Sequence, residues 1–173
     1  MSIDRPSLAV EAQFAAVRPW VPTQTALGRW ARTAHRAALA GRRRPARAGG
    51  PAASRLGIRV VGPAESRRLN RSYRGKDKPT NVLSFPASAE ERALCGSLGD
   101  LVICAAVVAA EARQQRKERA AHWAHMVVHG VLHLHGHDHE RPLAARAMER
   151  LEVEILGGFG YQNPYLPVTD QAT

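Results

Sequence analysis

The chain predicts a buried β-sheet surrounded by helices, and three observations carry that expectation. At 173 residues it suits one hydrophobic core, since single domains usually hold about 100–200 residues. Hydrophobic residues make up 45% and charged residues 23%, which is ordinary for a globular protein and excludes a disordered one. Short apolar runs bounded by glycine and proline then alternate with stretches of helical periodicity, the pattern of a sheet layered with helices.

Taken in order, residues 7–13 alternate as a strand, and 25–40 place Leu27, Trp30, Ala31, Ala34 and Ala38 at helical spacing between arginines. Residues 56–61 read as a strand stopped by Gly62-Pro63, and 64–73 as a short helix with Glu65 in its first turn. A third strand covers 81–85 and is stopped by Pro86, residues 88–97 read as a loop, and 101–106 form a fourth, fully apolar strand. The alanine-rich stretch that follows reads as a helix to Arg119, and 121–134 as another with Gly136 as its stop. A last helix spans 142–156, ended by Gly157-Gly158, and 161–173 is irregular. Cys95 and Cys104 lie in or beside apolar sequence without CxxC spacing, so both are expected as buried reduced thiols.

The net charge of +10 calls for a polyanionic partner, either nucleic acid or an anionic membrane surface. The longest apolar run, 101–110, is half of what a bilayer span requires, and Asp4, Arg5 and Glu11 interrupt any signal peptide. No membrane partner is therefore expected, and the location expected is cytoplasmic. Positive charge is concentrated at the start: residues 1–60 carry 11 Arg against Asp4 and Glu11, while the rest is nearly balanced. Within it, the segment 41–50 sets Arg42, Arg43, Arg44 and Arg47 among glycine, proline and alanine. Both a solvated linker and a phosphate-binding arm fit that composition.

Six of the eight histidines fall between His125 and His139. On a helix, His129 and His133 are four apart and present imidazoles from one face to a single ion. A left-handed turn at Gly136 can swing His139 over that face, completing three ligands and leaving a position open for water, as hydrolysis requires. His35, His122 and His125 are expected to be ordinary core or surface residues, and His135 either faces solvent or offers an alternative ligand. In HExxH metallopeptidases the residue after the first histidine is the general base, but here it is Gly130, which argues against a peptidase.

Upstream, LNRSYRGKDKPTNVLSFP (69–86) places Arg74 on a loop before a strand, where its planar fork can meet a phosphate. This segment, GDLVIC (99–104), HWAHMVVHG (122–130), HGVLHLHGHDH (129–139) and the closing GGFGYQNPYL (157–166) together resemble the YbeY family of metal-dependent endoribonucleases. The resemblance covers most of the chain, so residues 1–173 are expected as one such domain, with 41–50 an insertion. It implies an α+β fold with a mixed sheet of about four strands and about five helices, and a zincin-like site on a helix. It also implies one zinc ion on His129, His133 and His139, a functional Arg74 and no organic cofactor. The implied activity is single-strand-specific cleavage of ribosomal RNA, with 16S 3′-end maturation and ribosome quality control on the small subunit. The chain departs from the family at His137, where an aromatic residue is usual, and at His135, where an apolar one is common. A different function class compatible with these residues is a ribosome-associated RNA-binding factor whose zinc is structural.

Overall fold

A computed structural model describes residues 7–16, 20–40, 53–137 and 140–167. Four strands, β1 (Ser7–Phe14), β2 (Ala53–Val61), β3 (Val82–Pro86) and β4 (Ser97–Cys104), form one mixed sheet in the order β1-β2-β4-β3. β1, β2 and β4 run parallel, and β3 closes one edge antiparallel, with Val82 opposite Ile103 and Pro86 opposite Gly99. Among the described residues six helices accompany them: α1 (Gln24–Ala40), α2 (Pro63–Arg74), α3 (Ala89–Cys95), α4 (Ala105–Gln114), α5 (Arg119–Leu134) and α6 (Pro142–Gly157).

Alternation along each strand divides the apolar side chains between two layers. Leu56, Ile58, Val60, Leu101 and Ile103 face α1 and α5 in the main core, while Val61, Leu83, Val102 and Cys104 form a smaller cluster with Leu69 of α2. The predicted fold class therefore holds, with one helix more than expected.

The additional helix is α3, within 88–97, where a loop was expected. Ser88 and Glu91 form a reciprocal capping box, the Ser88 side chain accepting from the Glu91 N–H and the Glu91 carboxylate accepting from the Ser88 N–H. This helix leaves Cys95 exposed, correcting the expectation of burial, whereas Cys104 is buried and both thiols are free. The helix expected to reach Arg119 stops at Gln114, and Arg119 opens α5 after a turn in which Arg116 is left-handed, with φ of 53°. The fourth strand ends at Cys104 because Ala105 begins α4 directly. The segment 41–50 lies outside the described residues.

Candidate metal centre

The apolar residues of α5 are spread over most of its circumference, so the helix is buried on nearly every side. Its histidines form the exception. His125, His129 and His133 follow one stripe at four-residue spacing and are only partly buried. The flank that carries Gly130 is pressed onto β4 closely enough that a Cβ there would stand 2.7 Å from Leu101 Cδ2. A glutamate at 130 would point into the sheet, so the peptidase base is excluded by packing as well as by sequence.

His129 Nε2 and His133 Nε2 are 3.1 Å apart. Two nitrogens bound to one ion at about 2.0–2.1 Å in tetrahedral array stand at nearly that separation, so the pair suits a shared metal. The other nitrogen of His129, Nδ1, is 2.7 Å from Glu152 Oε1 on α6. Glu152 is 0% exposed, and its second oxygen accepts the Tyr165 hydroxyl proton while lying 3.7 Å from His125 Nε2. Burial opposes the charge on this carboxylate, but the nearby His125 and the hydrogen bonds from His129 and Tyr165 outweigh it and hold its pKa at about 2. The Tyr165 hydroxyl is pushed up, by its own burial and by that carboxylate. His125, His129 and Glu152 each bring a ligand atom within 4.8 Å of the others, a cluster able to hold a metal ion.

Gly136 ends α5 as expected. Its φ is 82°, and the bonds Gly136 N–H to His133 C=O and His137 N–H to Leu132 C=O make a Schellman turn. His139, two residues further, lies outside the described residues. His135 does not face solvent: it is buried, with Nε2 3.0 Å from Nδ1 of buried His35 on α1. His122 is buried as expected and is bonded to Glu111 through Nε2 at 2.8 Å. His125 stands nearer the centre than expected, beside Glu152 and Tyr165. Arg74 was expected on a loop but is the exposed last residue of α2, capped by left-handed Gly75; α2 packs on the other face of the sheet from α5, and residues 75–81 lead on to edge strand β3.

Sequence reasoning missed Glu152. A signal was present, since Glu152 shares one stripe of α6 with Met148, Ile155 and Leu156, all buried. A carboxylate on a buried apolar stripe is rarely left without a partner.

A sequence profile described as endoribonuclease YbeY matches residues 23–160. The chain belongs to the YbeY family. Endoribonuclease YbeY of Alkalilimnicola ehrlichii is 53% identical over 169 residues, covering 94% of this chain and 93% of that protein. A solution structure of TM1509 from Thermotoga maritima shares the fold at 20% identity, with a TM-score of 0.53 over 92% of this chain and 99% of that one. Among the described residues no helix is long and apolar enough to cross a membrane.

Proposed function

We propose that this YbeY protein is a metal-dependent endoribonuclease that cuts single-stranded ribosomal RNA, acting in 16S 3′-end maturation and ribosome quality control on the small subunit. It works in the cytoplasm with one zinc ion, held by His129, His133 and His139, and with Arg74 as a catalytic cation. Residues 1–173 form one such domain with 41–50 as an insertion, a reading supported by a family match that runs from 23 to 160. The observation that carries the proposal is the facing Nε2 pair of His129 and His133, backed by a fully buried carboxylate.

Zinc bound there supplies Lewis acidity toward water and a phosphoryl oxygen. Glu152 takes the Nδ1 proton of His129 as a hydrogen bond, which fixes the tautomer and leaves the Nε2 lone pair for the ion. Tyr165 donates to the other Glu152 oxygen and holds the carboxylate in place. With both oxygens engaged, Glu152 acts by positioning His129 rather than by ligating. Arg74 is assigned the charge that builds on the phosphate because of its place in the 69–86 motif, and from the end of α2 it would meet the RNA where the strand passes the β3 edge. The structural-zinc alternative needs a fourth protein ligand from His135 or His137; His135 Nε2 is engaged with His35, which leaves His137, just past the Gly136 turn, as its candidate.

Zinc content and cleavage of a single-stranded 16S 3′-terminal fragment test the proposal in wild type, His133→Ala and Arg74→Ala, with and without chelator. Wild type should hold one zinc and cut, His133→Ala should do neither, and Arg74→Ala should keep zinc while cutting at least tenfold more slowly. Equal cleavage by wild type and His133→Ala sinks the metalloenzyme reading.

A further inference from the structure

The outer edge of β3 runs beside the metal centre, and nothing above assigns its backbone groups. In an antiparallel pair, alternate residues turn both backbone groups toward the neighbouring strand, and the residues between them turn both away. Two bonds, Cys104 N–H to Asn81 C=O and Ala87 N–H to Leu98 C=O, fix which residues do which: 81, 83, 85 and 87 face β4, while Val82, Ser84 and Pro86 face outward. Pro86 has no N–H, and the Val82 N–H donates to Asn81 Oδ1 at 2.7 Å. Ser84 therefore presents the one outward N–H of β3 without a partner among the described residues, beside its own outward C=O.

Ser84 also stands close to the histidines. It lies opposite Leu101 in the pair, so its side chain points to α5, and its Oγ is 3.5 Å from the Gly130 carbonyl oxygen. At about 100° per residue, Gly130 is just over a quarter-turn from His129, on the side away from His125. The partly exposed histidine stripe thus runs between α6, which carries Glu152, and the β3 edge.

A single N–H with a C=O beside it discriminates among partners. A peptide strand adding to the edge would pair with donors at successive outward positions, and 82 and 86 supply none. A phosphate only accepts, and the Val82 and Ser84 carbonyl oxygens would lie against it. The Watson–Crick edge of an unpaired base sets an acceptor next to a donor and matches both groups of Ser84. We propose that the Ser84 N–H and C=O bind the Watson–Crick edge of one unpaired RNA base close to the scissile phosphate, with that phosphate turned to the metal centre. The inference rests on the endoribonuclease reading above and gives single-strand preference a physical origin: in a duplex that edge is already paired.

The test uses the zinc-loaded full chain and a single-stranded RNA oligomer, with one series methylated on the Watson–Crick edge of each base in turn and a second 2′-deoxy at each nucleotide in turn. Binding, kcat/KM and zinc content are measured for wild type and three variants. Ser84→Ala loses only the hydroxyl, Ser84→Pro loses the outward N–H and no ladder bond, and the third carries an ester in place of the amide joining Leu83 to Ser84. One methylated base should cost wild type and Ser84→Ala roughly tenfold in binding and kcat/KM. Ser84→Pro and the ester chain should lose roughly three- to tenfold on unmodified RNA, keep their zinc, and be indifferent to that methyl group, because both changes remove one interaction. If Ser84→Pro fails to fold, seen as lost zinc, the ester chain decides alone. A wild type indifferent to every methylated base overturns the proposal, as does full methyl sensitivity in the chains without the N–H. Sensitivity confined to the 2′-deoxy series moves the contact to the ribose and overturns it too. Binding without cleavage sinks the nuclease reading, and the binding series then decides the edge by the same criteria. Absence of RNA binding sinks both.

Discussion

On the side of the sheet covered by α1 and α5, Leu56, Ile58, Val60, Leu101 and Ile103 are sealed beneath two helices. On the side covered by α2, the apolar cluster is Val61, Leu83, Val102 and Cys104, and the same face continues into Glu11, Arg59 and Asp100 around an open cleft. The two sides share a backbone and the same strands, so the contrast comes from side chains and cover alone. The histidine stripe stands on the sealed side, on a helix pressed close to β4. A metal centre needs ligands held to within about half an ångström, and dense packing behind α5 provides that.

Equivalent truncations on the two sides test the contrast most strongly. Leu101→Ala removes a fully buried side chain under α5 and should cost about 3–5 kcal/mol in urea unfolding. Leu83→Ala should fall near 2 kcal/mol, since its neighbours Leu69 and Phe85 are only partly buried and can close the gap. Equal losses would break the comparison. Glycines give a second pair. Gly130→Ala forces a Cβ onto Leu101 and should cost about 1–3 kcal/mol, whereas at Gly57 the added Cβ meets the exposed Asp100 carboxylate, which can swing aside for less than about 1 kcal/mol.

The centre itself should respond in the same range. Glu152→Gln should weaken zinc binding roughly 10–100-fold, and Tyr165→Phe by less, in titrations against a competing chelator. The smallest effect belongs to Glu111. Burial opposes its charge, but hydrogen bonds from His122 and Asn81 prevail and set its folded pKa below the ordinary carboxylate value. The unfolded chain therefore holds that proton more tightly, and Glu111 contributes stability that is full above the unfolded pKa and is lost as pH falls through the lowered folded one. Urea midpoints of wild type and Glu111→Gln should differ at pH 7 and converge as pH is taken below 4.

Much of the sheet was legible because strand alternation and glycine-proline stops are local signals. Ser88 and Glu91 carried an equally local signal for α3, which the surrounding polar residues obscured. The His129 and His133 pair could be read from spacing, because four residues on a helix fix a shared face. Glu152 and Tyr165 could not, since their approach to His129 depends on how α6 and the following chain fold back onto α5. The His35 to His135 contact has the same cause: it spans 100 residues, and no pattern along the chain marks it.

The order of the strands also bears on how the protein is made. β2 lies between β1 and β4, so the sheet cannot close until Cys104 has left the ribosome, and only then does α5 have a surface to pack on. At roughly 5–20 residues per second, the 30 residues from Ala105 to Leu134 follow over about 2–6 s. Every strand of the platform is therefore outside the ribosome before the histidine helix emerges, so the metal ligands enter solution only when the sheet they pack against can already be assembled.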